Sequence, residues 1–418
     1  MRLTLRQSPT VVGAVCASLG IALLFVRGLA WAALGVELVA LAFGAWARAL
    51  PDAADQMARW AWLRRPALAL WLGAAVRMVL PELTPVVTGA AGALGGTSLT
   101  VAPPPLAHAP MLLLRTVGAL AVLWSGLELM AALPTSRPFP DLTGPMPRVG
   151  PWLTALLPVT GFMVLWRQAP MWTGAPFVSE VATLALMLAA LLAVLRAYAR
   201  RSLTATLRWL VVYDSALASM LVARGVVPGE VAAVLWLGAA GGRLIALAAE
   251  LRGQAVRRGP ALTRLWRLAG WVAGTALSWP LLCDAVFGGH RFHLMEAVVL
   301  APPVYLASVI WLRRVVEAPE RRTTARPEDR GPHLSRVGAW TTLCAGPVAL
   351  AWTWWQGFEV SFPGAALALV PPLLAWWPVR RLTAALADAP ETTEAVHPRQ
   401  YDLSSLRLRS EEHTSELQ

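Results

Sequence analysis

The chain has 418 residues, 57% of them hydrophobic and 14% charged, with a mean hydropathy of +0.55. So much apolar sequence, spread so evenly, excludes a water-soluble fold, and the lack of alternating ten-residue segments excludes a β-barrel. The net charge of +12 is carried by Arg alone, since none of the 36 basic residues is Lys. Most of these Arg lie in short links between apolar runs, as membrane anchors do, so a nucleic-acid partner is not implied.

Apolar runs long enough to span a bilayer fall at residues 9–26, 28–49, 66–88, 109–133, 150–167, 177–197, 208–227, 230–250, 266–288, 294–312, 337–356 and 361–378. The expectation is therefore an all-α, polytopic bundle of about twelve transmembrane helices, forming one membrane domain over 1–378. The third and ninth runs are interrupted, by Arg77, Glu82 and Pro85 in one and by Pro280 and Asp284 in the other. Trp outnumbers Tyr by 21 to 4, which suits ring anchors at the lipid–water boundary. Cys16, Cys283 and Cys344 are far apart and form no CxxC pair, so neither a metal nor a redox site is signalled.

With the N-terminus placed in the cytoplasm, the cytoplasmic links and the termini carry 29 Arg and the opposite links only four, Arg27, Arg167, Arg224 and Arg291. That asymmetry is the positive-inside pattern, and it places both termini on the cytoplasmic side of a bacterial-type inner membrane. Residues 315–335 form a polar, Pro-containing cytoplasmic loop and 379–408 a polar tail, while 92–108 is uncharged and faces outward. The last ten residues, 409–418, RSEEHTSELQ, read as a translated sequencing adapter, so they are set apart from the fold.

Seven ionisable residues fall within or beside the apolar runs: Glu37, Arg77, Glu82, Glu128, Asp214, Arg243 and Asp284. Such groups in hydrocarbon cost at least ~2.5 kcal/mol, and they commonly mark ion or proton pathways or pair with one another. Glu37 and Glu128 share a setting, each following a Gly by two residues. A Gly so placed lets a neighbouring helix come close to the acid. For both, the plain alternative is an ordinary hydrogen bond between helices. Asp214 and Arg243 lie on consecutive, antiparallel spans, where they can pair, either structurally or within a relay. Pro158, Pro302 and Pro303 sit inside spans and suggest broken helices of the kind transport sites use. Asp284, His290, His293 and Glu296 gather near one span edge without the spacing of a ligand set. No metal and no cofactor is implied, and no P-loop, dinucleotide fingerprint or nucleophile elbow occurs.

Three segments together resemble the antiporter-like membrane subunits of respiratory complex I (chains N, M and L) and of related cation/proton antiporters. S-G-L-E-L-M-A-A-L-P, around Glu128, is similar to the sequence around that family's intramembrane glutamate. Pro151 to Arg167 resembles its P-V-S-A-L-L-x-x-x-K-x-G segment, and Thr206 to Ala216 resembles D-L-K-R-x-x-A-Y-S-S-I, followed by a helix ending G-R-L-I-A-L. Residues 109–313 would be the antiporter-like core. Residues 1–50 resemble the small K chain of the same complex, with Glu37 at its carboxylate position.

The resemblance implies a non-redox subunit of a proton-translocating NADH–quinone oxidoreductase or antiporter assembly. Its partners would be other membrane subunits within the lipid bilayer. Glu128, Asp214, Arg243 and Glu37 would form the proton relay. The family's lysines fall here on Val159 and Arg243 and its histidine on Ala239, and the link from Thr135 to Gly150 is shorter than the family's. Arg keeps its proton where Lys can release it. The usual lysine relay is thus not available, which leaves Glu128 with Asp214 and water, or a mainly structural subunit. An unrelated polytopic transporter and, less favoured, a membrane transferase using His290 and His293 are the other readings.

Overall fold

The computed structural model describes residues 8–26, 28–48, 63–79, 109–131, 150–173, 176–200, 203–226, 229–251 and 293–311, with a few positions among 277–281 and residues 340 and 344. Among them the chain is helical, with short turns and no strand. The helices are α1 (Ser8–Phe25), α2 (Leu29–Arg48), α3 (Arg64–Val79), α4 (Ala109–Leu129) and α5 (Gly150–Arg167). They continue as the single turn α6 (Ala169–Trp172), then α7 (Pro176–Ala199), α8 (Leu203–Arg224), α9 (Gly229–Leu251) and α10 (His293–Ile310).

Among the described residues four stretches are long and apolar enough to cross a membrane, Leu29–Trp46, Leu112–Leu129, Phe177–Ala199 and Ala205–Arg224. Shorter apolar helices lie at Val11–Phe25, Leu156–Arg167 and Val299–Ile310. The protein is therefore a helical membrane protein. In hydrocarbon each backbone N–H and C=O must be satisfied within the chain, and a helix does this locally.

The direction in which residues of different size point agrees with a lipid solvent. On α7, Ala182, Ala189, Ala190, Ala193 and Ala197 are buried together with Val178, Leu186, Met187 and Val194, while Phe177, Leu184, Leu188 and Leu195 face outward. A soluble helix would bury its large residues and expose polar ones. In lipid no hydrophobic force draws Leu inward, and small side chains let helices pack closely.

Close approach is sharpest at two crossings. A Cβ on Gly20 of α1 would lie 2.6 Å from the carbonyl oxygen of Gly35 on α2, and one on Gly35 would lie 2.7 Å from that of Gly20. A Cβ on Gly161 of α5 would stand 2.7 Å from the carbonyl oxygen of Gly126 on α4. Gly35 and Gly126 are the glycines two residues before Glu37 and Glu128, so the close crossings fall on those glycines, while a residue two positions on leaves its helix on another face.

Two glycines also turn the chain. Gly28 has φ 128° between α1 and α2, and Gly225 has φ 64° after α8, a region open to Gly without strain.

Helix α5 packs against α1, α2, α4, α6, α8 and α9, and α8 packs against α5, α7 and α9. Within α8, 94% of the apolar span is buried, against 50% in each of the other three long spans. It is the inner helix of the described bundle.

The apolar runs expected at 9–26, 28–49, 109–133, 150–167, 177–197, 208–227, 230–250 and 294–312 coincide with helices to within a few residues. Arg64–Val79 covers the first part of the run expected at 66–88. The run at 361–378, nearly all of 266–288 and of 337–356, the loop 315–335 and the tail 379–408 lie outside the described residues.

Helix α5 continues through Pro158, and α10 through Pro302 and Pro303, where the sequence suggested breaks. A proline removes one N–H from the ladder, and the bonds on either side hold the helix across it.

Candidate functional site

Helix α8 carries a polar series, Thr206, Arg208, Tyr213, Asp214, Ser215 and Ser219, that is buried throughout. A buried polar group in a dry interior costs free energy unless something satisfies it. Ser215 solves this locally: its hydroxyl donates to the Val211 carbonyl at 2.8 Å and accepts from Trp236 Nε1 at 2.9 Å. The Trp236 ring stacks on Phe162 with centroids 4.4 Å apart, which ties α8, α9 and α5 together.

From α9, Arg243 reaches α8, and its Nε lies 2.9 Å from Asp214 Oδ2. The side chains are 5% and 1% exposed, so this is a buried ion pair. The guanidinium centre also lies 5.8 Å from the centroid of the Tyr213 ring and 5.5 Å from that of Trp311, just past α10. Such rings attract a cation through the negative charge of their faces, an effect of order ~0.5–2 kcal/mol each. Arg243 thus meets one carboxylate and two aromatic rings.

The contact is close without being an aligned hydrogen bond. Neither Asp214 oxygen, nor Arg243 Nη1, nor the Tyr213 hydroxyl has a hydrogen-bond partner within the structure. Each buried polar atom left so costs about 1–3 kcal/mol. Four of them gathered on three residues mark the highest concentration of polar cost in the described bundle.

Glu128 is 6% exposed, near the end of α4. Beyond it the chain turns through Ala131, with φ 52°, whose N–H donates to the Glu128 carbonyl at 2.9 Å. Arg196 of α7 closes this end by donating from Nη1 to the Ala131 carbonyl at 3.2 Å, and its guanidinium lies 4.8 Å from the centroid of the Trp209 ring. A cation at a helix C-terminus also balances the negative end of the helix dipole. Arg167 serves α1 in the same way, donating to the Phe25 carbonyl at 2.6 Å. Two of the chain's arginines therefore act as caps supplied by neighbouring helices.

Asp214 pairs with Arg243, while Glu128 lies on α4 two residues past Gly126, the residue that meets α5. Glu37, half-buried on α2, accepts from Trp71 Nε1 of α3 at 2.8 Å. That bond needs only a carbonyl-type acceptor, so Glu37→Gln is expected to cost less than about 1 kcal/mol. Trp71→Phe, which removes the donor, is expected to cost more. Thermal melts of both variants in detergent would check this ordering, and its reversal would show that the charge of Glu37 matters in place.

Asp284 and His290 lie outside the described residues, and His293 and Glu296 are placed only as backbone in α10. Tyr213 and Trp311 were not anticipated. Tyr213 adjoins Asp214 in sequence and a search for polar tips next to buried acids would have found it. Trp311 is 68 residues from Arg243, and no local pattern links the two.

No family model, curated protein or solved structure matches the chain.

Proposed function

We propose that this protein is a proton-conducting membrane subunit whose charge centre is Asp214 with Arg243, working beside Glu128. The observation that carries this reading is a carboxylate–guanidinium pair, 1% and 5% exposed, on the inner helix of a membrane bundle. A buried ion pair is weak evidence of stability, because desolvating two charges offsets much of their attraction. Ionisable groups inside a membrane are more often explained by transport. Arg243 stays protonated, so its role is that of a fixed counter-charge, and Asp214 is the group that gains and loses the proton.

The finer form of the proposal is twelve spans with both termini cytoplasmic in a bacterial-type inner membrane. The protein would be a non-redox, antiporter-like subunit of a complex-I-type or cation/proton antiporter assembly, with other membrane subunits as partners. The motifs around Glu128, Pro151–Arg167 and Thr206–Ala216 support that form, together with the Arg asymmetry of the loops.

The test is proton flux. Protein reconstituted in liposomes with an entrapped pH dye, under a potassium diffusion potential, is expected to carry protons inward. Asp214→Asn is expected to abolish the flux and Glu128→Gln to reduce it at least tenfold. Flux equal to wild type in Asp214→Asn would remove Asp214 from the path. The same measurement on membranes holding the native assembly covers a chain that conducts only with its partners.

A further inference from the structure

The pair of Asp214 and Arg243 leaves a mixed set of unmet polar atoms. Arg243 Nη1 offers a donor, both Asp214 oxygens are acceptors, and the Tyr213 hydroxyl is either. The residues that carry them are 4%, 1% and 1% exposed. All three are held together, since Arg243 touches the Asp214 carboxylate and lies against the Tyr213 ring.

A ligand for such a set must both give and accept hydrogen bonds. A cation would meet Arg243 at close range, and an anion would meet Asp214. The pair is electrically balanced already, so neither charge is called for. A neutral molecule small enough to enter between packed helices, with two donors and two acceptors, is water. Buried waters make about three hydrogen bonds each to groups otherwise without partners.

We propose that Tyr213, Asp214 and Arg243 bound a buried water site inside the α8–α9 hairpin, with the Trp311 ring lying against it. Water there bridges Asp214 to Arg243 and to the Tyr213 hydroxyl, which explains an ion pair that is near in distance but poorly aligned in angle. The Trp311 ring lies on the Arg243 side, its centroid 5.5 Å from the guanidinium. The site does not depend on proton conduction, because water bridging a static pair has the same ligands.

Infrared difference spectroscopy of the full-length protein in lipid tests it. The carboxylate band of Asp214 is isolated by subtracting the spectrum of Asp214→Asn. Transfer to D2O is expected to shift that band within minutes, as bridging water exchanges. In Tyr213→Phe, which keeps the ring and loses only the hydroxyl, the band is expected to move to a new position and remain sensitive to D2O. A band that stays unshifted in D2O for hours, and is unchanged by Tyr213→Phe, would overturn the site and show a dry pair. Flux with an unshifted band would leave the transport reading standing without this one. A shifted band without flux would do the opposite.

Discussion

Arg243→Met is expected to destabilise the bundle by about 3–5 kcal/mol, and adding Asp214→Leu is expected to restore most of that loss. The single change leaves a carboxylate that is 1% exposed without its counter-charge. The double change replaces both charges by apolar groups of similar size, and the desolvation cost disappears with them. Asp214→Leu alone is expected to cost less than Arg243→Met. The stranded guanidinium keeps the Tyr213 and Trp311 rings, whereas among the described residues Arg243 is the cation paired with the carboxylate. Unfolding midpoints in mixed detergent, followed by Trp fluorescence, would give the three values. A double variant as unstable as Arg243→Met would mean that the pair is not what sets the cost. The double variant has a second use, since stability regained without flux would separate holding the fold from moving protons.

Gly161→Ala is expected to lower stability by about 1–3 kcal/mol, against the usual gain when Ala replaces Gly in a helix. The added Cβ would come within 2.7 Å of the Gly126 carbonyl oxygen and 2.9 Å of the Met130 nitrogen. Both are backbone atoms, so no side-chain rotation relieves the contact and the two helices must move apart. Gly44 of α2 supplies the contrast, because a Cβ there meets nothing within 4 Å. Gly44→Ala is expected to be neutral or to stabilise by up to ~1 kcal/mol. The same melts compare the two variants, and equal effects would show that the α4–α5 crossing tolerates separation. Because Glu128 lies two residues past Gly126, Gly161→Ala is also expected to disturb whatever work Glu128 does.

Much of the helical framework was legible in the residues. Runs of Leu, Ala and Val bounded by Gly, Pro and Arg located α1, α2, α4, α5 and α7–α10 to within a few positions. The Gly that precedes Glu37 and the Gly that precedes Glu128 each pointed to a close crossing, because only a missing side chain allows backbones so near. The neighbouring spans that hold Asp214 and Arg243 made their pairing an available outcome.

What the sequence could not determine is which way each helix is turned. A soluble helix shows its inner face through the contrast between apolar and polar residues. In α1, α5 and α8 that contrast is nearly absent, because lipid and protein interior both accept Leu and Val. Glu37, Glu128 and Asp214 therefore look alike as isolated acids in apolar runs. Packing separated them: Glu37 meets a Trp on a half-buried surface, Glu128 is buried near the end of α4, and Asp214 faces an arginine in the interior. The sequence alone determined a membrane chain of helices with acids in them. The tertiary structure decided how Asp214 and Arg243 meet and what surrounds them, because that depends on helix rotation and on residues such as Trp311 that only folding brings near.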